Sequence, residues 1–516
     1  MNRQYMRRIW RVLGIIVLWG YGLAMAQPTE RSFKRELRGV WVATVVNIDW
    51  PSQPGIGAQA QQDELIRILD KHKRTGINVV FFQVRPAADA LYAKSREPWS
   101  RFLSGEEGKP PYPSYDPLAF AIEEAHRRGM ELHAWINPYR ATFDLNPDHI
   151  SPNHISKQHP QWFFTYGGKK LFNPGIPEVR KYIYQVVMDL VRNYDLDGIH
   201  LDDYFYPYPD GKPLPDQATY RTYGKGFSSI EDWRRDNVNQ LIKALGEGIH
   251  AEKSYVKFGV SPFGIWENRA QHPQGSETSG FSGYRQLYAD AKKWAEAGWV
   301  DYLIPQIYFP FGYPAAPFET LVDWWGDHAY GRHMYIGHAA YRINERRNGW
   351  EKPNQLPDQV QYIRGNPHVQ GSVFFSSKSL MNNLGGFSTL LETQFYRDKS
   401  LPPTMPWLDA EPPAPPRGLT QRQSPEGKVI LHWQQPVQQT QTDHVYGYVV
   451  YRFEKDEPID MEDPGNLLFY TYDGIHTTYT DRDVEAGMEY TYIITALDRL
   501  KNESTGSNAV SVTIKK

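Results

Sequence analysis

Short apolar runs alternate with amphipathic stretches from residue 36 to about residue 396. Near-continuous apolar runs separated by helical patterns are typical of parallel strands that are covered on both faces. The predicted strands are Leu37–Val46, Ile77–Val84, Glu131–Asn137, Gly198–Asp203, Val256–Pro262, Tyr302–Tyr308, Met334–Ala340 and Ser372–Ser376. The predicted helices between them include Asp63–Thr75, Pro117–Arg128, Glu178–Asn193, Ile230–His250, Tyr284–Ala297 and Pro357–Arg364. Eight such units favour an α/β fold of the (β/α)8 TIM-barrel type, covering about residues 33–400, over an open doubly wound sheet.

The pattern changes after this region. A proline-rich stretch over residues 401–416 predicts a stiff, extended linker. Beyond it, helical signals vanish and short strands with period-two alternation take their place. These are Val429–Trp433, Gly447–Arg452, Thr478–Asp481, Glu489–Leu497 and Ala509–Ile514. Residues 417–516 are therefore predicted to form a small all-β sandwich that resembles a fibronectin type III module, with the role of a spacer or docking domain.

The N-terminal segment has the composition of a secretory signal. Four arginines lie within the first eleven residues, an apolar run follows over residues 12–23, and Ala24-Met25-Ala26 ends it. Basic, apolar and small-residue regions in this order predict a signal peptide over residues 1–26 that is cleaved after Ala26. The alternative is an uncleaved anchor, although the run is short for a membrane span. We expect a periplasmic or secreted protein with no stable membrane span after cleavage.

Bulk composition limits the classes of function. The 516-residue chain is 40% hydrophobic and 22% charged, with a formal net charge of −2, so nothing in its charge favours nucleic acid. Cysteine is absent, which excludes disulfides, thiolate catalysis and cysteine-ligated zinc. Aromatic residues make up 14% of the chain, and flat rings at strand ends can stack on sugars or simply fill a core. The oligomeric state stays open.

Two adjacent carboxylates, Asp202 and Asp203, end the predicted fourth strand. Side chains alternate between the two faces of a strand, so Asp202 is expected to point inward with His200, and Asp203 outward. The active site of a TIM barrel lies at the carboxyl ends of its strands. Asp202 is therefore the first candidate for a catalytic carboxylate, while Asp203 could equally cap a loop.

Polar and aromatic residues collect at the same end of nearly every predicted strand. Glycosidic bond cleavage requires side chains of this kind: one carboxylic acid, a second carboxylate, and groups that bind sugar rings. Asp203 and Glu267 are the candidates for the second catalytic carboxylate. The predicted substrate-binding residues are Asp49, Trp50, Gln83, Arg85, Asn137, Tyr139, His200, Tyr204, Trp266, Gln306 and Tyr308. Asp49 is also a weaker candidate for the second carboxylate, and Asp89 is expected to pair with Arg85.

Other chemistries fit less well. A His-x-Asp pair on one strand face could bind a divalent ion with His133 and His338, but the first strand lacks the His-x-His pair of amidohydrolase-type sites. No serine lies in a nucleophile-elbow pattern. No glycine-rich phosphate turn follows the first strand, which argues against a dinucleotide site. We therefore expect a mechanism that needs no metal and no cofactor.

Several motifs together resemble the glycosyl-hydrolase-like 10 family of bacteria. They are Glu36–Val42, Asp49-Trp50-Pro51, Gln83–Pro86, Asn137–Arg140, Asp197–Tyr204, Ser261–Trp266 and Pro305–Tyr308. The resemblance implies an exported (β/α)8 barrel that acts on polysaccharide. Some members are similar to enzymes that cut peptidoglycan glycan strands, in particular strands without stem peptides. Peptidoglycan glycan strands are therefore the expected substrate.

Two alternatives stay open at this point. One is a noncatalytic protein that binds cell-wall or capsule glycan through the aromatic residues without using the carboxylates. The other is a hydrolase of an environmental or dietary polysaccharide.

Overall fold

A closed parallel barrel forms the larger part of the computed structural model, which describes residues 32–437 and 444–515. Its strands are Leu37–Val42, Val79–Arg85, Glu131–Ile136, Gly198–Leu201, Lys257–Val260, Tyr302–Leu303, His333–Met334 with Ile336–Ala339, and Gly371–Phe375. The seventh strand is interrupted at Tyr335. Its first part pairs with the sixth strand and its second part with the eighth, so the sheet closes on itself. The predicted TIM-barrel fold is confirmed.

Helices surround the barrel between successive strands. The longer ones are Ala58–Thr75, Pro117–Arg127, Pro177–Asn193, Ile230–Glu252, Phe318–Asp327 and Gln355–Gly365. Shorter ones are Arg101–Ser104, Ile155–Gln158, Gln217–Tyr223, Gly283–Gln286, Ala291–Glu296, Ser377–Met381 and Phe387–Leu390. Two short helices, Gly283–Gln286 and Ala291–Glu296, replace the single helix predicted at Tyr284–Ala297. The helix is broken because Tyr288 has a φ of 55° and Asp290 caps the second helix. The predicted helices omitted Phe318–Asp327.

A two-stranded hairpin lies in the long connection between the third and fourth barrel strands. It pairs Phe163–Tyr166 with Lys169–Phe172. Its turn is Gly167-Gly168, where φ values of 54° and 73° favour glycine. Phe172 and Ala141 join the hairpin to the third-strand loop through backbone hydrogen bonds, and this places the hairpin beside the carboxyl end of the barrel.

The C-terminal region is a two-layer antiparallel sandwich, as predicted. One sheet contains Arg417–Gln423, Val429–Gln434 and Thr478–Asp481, and the other contains Gly447–Glu454, Leu467–Thr471, Glu489–Leu497 and Val510–Thr513. The sequence pattern failed to reveal Arg417–Gln423 because this edge strand is mostly exposed and carries little apolar alternation. Trp433 and Tyr448 pack in the core between the sheets.

A buried ionic cluster joins the sandwich to the amino end of the barrel. The carboxylate of Glu131, at the start of the third barrel strand, lies 2.7 Å from Nζ of Lys257 and 3.1 Å from Nζ of Lys501. All three side chains are at most 3% exposed. The two lysines hold the pKa of Glu131 below its ordinary value despite burial, which by itself raises it. Lys501 belongs to the sandwich, so the sandwich completes the closed end of the barrel.

The proline-rich segment also packs against this end instead of standing free as a spacer. Leu401 and Met405 are buried, and Trp407 donates a hydrogen bond of 2.9 Å to Asp301, which precedes the sixth barrel strand. The sequence pattern predicted a stiff, extended linker but not this packing against the barrel. The reason is that apolar residues among the prolines find a hydrophobic surface at the amino end of the barrel.

The predicted signal peptide, residues 1–26, lies outside the described residues. Within the parts of the chain that the structure describes, no helix combines the length and apolar character that crossing a membrane requires.

Candidate active site

Aromatic and histidine side chains fill the middle of the barrel and form the floor of the candidate site. Tyr302 lies at hydrogen-bond distance from His133 (2.8 Å) and from Nδ1 of His200 (3.4 Å). Trp41 donates to Nε2 of His200 over 3.2 Å. Burial holds the pKa of His200 well below its ordinary value, and His133 lowers it further. His200 is therefore a neutral hydrogen-bonding group in the floor of the site. Its side chain points into the barrel, as predicted.

The histidines considered as metal ligands do not converge. His338 hydrogen-bonds to Gln359 and Ser372, away from His133 and His200. Over residues 32–437 and 444–515, no cluster of three or more His, Cys, Asp or Glu side chains is arranged to hold a metal ion.

A cavity of about 200 Å³ opens above this floor, at the carboxyl end of the barrel. Asp202 is the single carboxylate in its lining. The other lining residues are Trp41, Val45, Ile48, Gln83, Trp135, Arg140, Tyr204, Ser261, Gln306, Tyr308 and Phe375. An apolar and aromatic cavity with a few polar groups at a barrel's carboxyl end is the expected form of a small-molecule or sugar site.

Asp202 has the environment of a carboxylic acid that is partly protonated at neutral pH. It is 3% exposed, and its Oδ2 accepts hydrogen bonds from Trp135 (3.1 Å) and Asn137 (3.3 Å). Its Oδ1 is buried with no hydrogen-bond partner among the described residues. Burial raises the pKa of Asp202 to about 7; Arg140 opposes the rise and the charge of Asp203 adds to it. Because both donors bind Oδ2, the proton of the neutral carboxyl belongs on Oδ1.

Asp203 is buried but lies behind the wall of the cavity. Its carboxylate accepts a short hydrogen bond from the Tyr208 hydroxyl and a further one from Gln306. Burial raises its pKa to about 6, which those hydrogen bonds moderate. The strand alternation predicted this separation of the two aspartates, with Asp202 facing inward. Asp203 influences the cavity mainly through Asp202 and Gln306.

Five predicted binding residues are brought to the cavity or its rim. Gln83, Tyr204, Gln306 and Tyr308 line it, and Asn137 donates to Asp202 from just outside the lining. Gln83 also fixes the first-strand loop, because its Oε1 accepts from the backbone amides of Thr44 and Val45. Gln306 donates to the Ser261 carbonyl oxygen over 2.9 Å. These polar groups are held in place by the fold before any ligand binds.

A second cavity, of about 140 Å³, adjoins the first. Arg140 and Tyr204 line both cavities, and the Arg140 guanidinium lies 4.8 Å from the centre of the Tyr204 ring. The remaining lining residues come from the third-strand loop, the hairpin and the fourth-strand loop: Tyr139, Tyr166, Gly167, Lys169, Leu171, Phe205, Pro207 and Tyr208. Tyr139, a predicted binding residue, therefore belongs to this second cavity.

Arg85 and Trp50 do not reach either cavity, contrary to the prediction. Arg85 is fully buried in a two-pronged ion pair with Glu97, with both contacts at 2.6 Å, and it also donates to backbone carbonyls of the third-strand loop. It pairs with Glu97, and not with Asp89 as expected. Arg85 was predicted to reach the site because it follows the second apolar run, but the strand pairing shifts register between Gln83 and Arg85. Trp50 is buried and donates to the Gln61 carbonyl oxygen.

Glu267 is not opposite Asp202, so its assignment as a second catalytic carboxylate is corrected. The fifth strand ends at Val260, and the chain then turns back so that the Tyr284 amide bonds to the Trp266 carbonyl oxygen. Glu267 is fully buried there, where it accepts from Asn268 and pairs with Arg285 at 3.0 Å. Trp266 is likewise 4% exposed, stacks on Trp324 and lines neither cavity.

Asp49 ties the first and eighth strands together. Its carboxylate accepts from the Ala43 amide, the Ser376 hydroxyl and the Lys378 amide, each over 2.7 Å. Burial raises its pKa to about 6 in spite of these bonds. With its oxygens used in this way, Asp49 supports the cavity wall without facing the cavity.

The predicted site omitted Trp41, Trp135, Arg140 and Phe375, which all line the first cavity. Three of them carried a signal in the sequence. Trp135 lies two residues after His133 on the third strand, so it shares the inward face, and Trp41 shares a face with Leu37 on the first strand. Phe375 likewise shares a face with Val373 on the eighth strand. Arg140 depends on loop geometry that strand alternation does not describe.

Comparisons of the sequence with family models and with known proteins agree with one another. The sequence model described as glycosyl hydrolase-like 10 matches residues 36–353, and a fibronectin type III model (SaeA third domain) matches residues 420–515. "Glycosyl hydrolase YngK" of Bacillus subtilis is 41% identical over 97% of this chain and 98% of its own length. "Glycosyl hydrolase DigH" of Escherichia coli K12 is 40% identical over 67% of this chain and 84% of its own length. A solved structure, the PgaB (BpsB) glycoside hydrolase domain from Bordetella bronchiseptica, is 12% identical, with a TM-score of 0.45 over 70% of this chain and 99% of its own.

Proposed function

The chain belongs to the glycosyl hydrolase-like 10 family, and on that premise we propose that it is an exported glycoside hydrolase of peptidoglycan glycan strands. Relatives named glycosyl hydrolases match nearly the whole barrel, which favours an enzyme over a noncatalytic glycan-binding protein. The N-terminal signal-like sequence supports a periplasmic or secreted location.

The observation that carries the proposal is the state of Asp202. A carboxyl that lines the cavity and whose pKa burial raises to about 7 is suited to protonate the leaving oxygen of a glycosidic bond. Trp135 and Asn137 both donate to its Oδ2, which leaves Oδ1 to carry the proton. In this proposal Asp202 is the catalytic acid.

Asp203 acts through Asp202. Its pKa is about 6, so near neutral pH it is ionised while a large fraction of Asp202 stays protonated. The negative charge of Asp203 is one of the causes that raise the pKa of Asp202. Asp203 therefore keeps the acid protonated, and through Gln306 and Tyr208 it also orders one side of the cavity.

This arrangement predicts that the alkaline limb of the pH profile of kcat/KM depends on the charge of Asp203. Above about pH 7, Asp202 loses its proton, and kcat/KM is expected to fall about tenfold per pH unit. Asp203→Asn removes a negative charge beside Asp202, which lowers the pKa of Asp202, so the alkaline limb should move to lower pH. The profiles of both proteins, measured from pH 5 to 9, test this.

Asp327→Asn is the control for the pH profile, because Asp327 is exposed at the end of helix Phe318–Asp327. Asp327→Asn should leave the alkaline limb at the same pH as in the wild type. An alkaline limb that stays in place in Asp203→Asn would contradict the proposed coupling between the two aspartates.

A substrate panel tests the proposed substrate. The purified mature protein is incubated with peptidoglycan strands with and without stem peptides, and with polysaccharides that lack muramic acid, and new reducing ends are counted. We expect the highest kcat/KM on peptide-free strands, because the cavities are narrow and closely lined by aromatic rings. Faster cleavage of a polysaccharide without muramic acid would favour the environmental or dietary alternative.

A further inference from the structure

The second cavity carries two positive charges beside an aromatic lining. Arg140 and Lys169 both line it, and no carboxylate lies within ion-pair distance of either in the part of the chain that the structure describes. Burial and the neighbouring Arg140 lower the pKa of Lys169 from its ordinary value. Arg140 also interacts with the buried Asp202 and Asp203, but no acidic group acts on the pKa of Lys169. An anion in the second cavity would therefore relieve the uncompensated positive charge at Lys169.

The position of this cavity relates it to the reaction. Arg140 and Tyr204 form the partition between it and the cavity that contains Asp202. A sugar chain whose scissile bond lies at Asp202 would therefore place the adjoining sugar in the second cavity. Tyr166, Phe205 and Tyr208 supply flat apolar surface there, which suits the face of a sugar ring.

We propose that the second cavity is a binding site for a sugar that carries a carboxylate, held by Arg140 and Lys169 next to the scissile bond. The inference rests on the proposed function and adds to it the chemical class of the neighbouring sugar. In peptidoglycan the carboxylate is the lactyl group of muramic acid, which is free when the stem peptide is removed and is an uncharged amide when the peptide is present. In other polymers the same chemistry belongs to a uronic acid.

Lys169→Gln is the informative variant, because Lys169 lines the second cavity alone whereas Arg140 also influences Asp202. Lys170→Gln is its matched control. It removes the same charge from the next residue of the same short strand, whose side chain points to the opposite face and lines neither cavity.

Three substrates separate the sources of the carboxylate: peptide-free strands, the same strands with the lactyl carboxylates converted to methylamides, and a polymer that alternates N-acetylhexosamine with uronic acid. On peptide-free strands, Lys169→Gln should lower kcat/KM about tenfold, the effect of one charge-assisted hydrogen bond at a partly exposed site. On methylamide strands, the kcat/KM of the wild type should be lower by a similar factor than on peptide-free strands. The Lys169→Gln variant should cleave the methylamide strands with the same kcat/KM as the wild type. Lys170→Gln should match the wild type throughout.

The outcomes are distinct. Equal cleavage of carboxylate and methylamide strands by the wild type, or equal loss in Lys169→Gln on both, would overturn the carboxylate site while the proposed function stands. Cleavage of the uronic acid polymer alone, dependent on Lys169, would keep the site and overturn peptidoglycan as the substrate. Cleavage of none of the three would overturn both.

Discussion

Asp202→Asn is expected to abolish most glycan cleavage, with kcat lowered by about 10²–10⁴-fold, the contribution of a positioned general acid. An amide has the shape of the protonated carboxyl, and it can still accept from Trp135 and Asn137 through its oxygen. It cannot give up a proton to the leaving oxygen. The free energy of unfolding should therefore stay within about 1 kcal/mol of the wild type, since the packing is unchanged. Steady-state kinetics and denaturant unfolding of the same preparations measure both effects.

Glu267→Gln is the matched control for this variant. It neutralises a second buried carboxylate at a strand exit, but one that pairs with Arg285 and lines neither cavity. The folded variant should keep kcat within about threefold of the wild type, because no interaction with the transition state is removed. The reverse pattern, an active Asp202→Asn and an inactive Glu267→Gln, would contradict the assignment of Asp202 as the catalytic acid.

Glu131→Gln should destabilise the protein by about 3–5 kcal/mol, the cost of breaking a buried ion pair by removing one partner. The substitution leaves Lys257 and Lys501 buried beside each other without the carboxylate that both contact. Because Lys501 comes from the sandwich, the loss should weaken the attachment of the sandwich to the barrel as well as the barrel itself. Chemical denaturation followed by tryptophan fluorescence measures the change.

Glu252→Gln provides the comparison for stability. Glu252 pairs with Arg192 on the surface, with side chains 34% and 51% exposed, so its loss should cost less than about 1 kcal/mol. A Glu131→Gln protein as stable as Glu252→Gln would show that the buried cluster does not hold the two regions together.

The barrel and the sandwich could be predicted because their patterns are repetitive. Eight apolar runs between helices identify a barrel, and alternation along the fourth strand correctly directs His200 and Asp202 inward. The expectation that residues at strand exits reach the site failed in two cases. Arg85 ends its strand after a register shift, and Glu267 lies seven residues past the end of its strand in a segment that folds back on itself.

What could not be predicted depends on contacts between distant segments. The second cavity exists because the hairpin around Lys169 packs beside the fourth-strand loop, and no local pattern encodes that contact. The closed amino end of the barrel depends on Lys501, 370 residues from Glu131, and on a proline-rich segment whose composition indicates only a linker. Sequence patterns describe elements well, but the partners of buried charges are set by the tertiary fold.

Whether Asp202 catalyses cleavage of glycan strands is tested most directly by mass spectrometry of the products that form when the mature protein is incubated with purified, peptide-free peptidoglycan strands. We expect shorter oligosaccharides with new reducing ends for the wild type, and intact strands for Asp202→Asn under the same conditions. Strands that the wild type retains but does not shorten, or shortening that proceeds equally in Asp202→Asn, would contradict it.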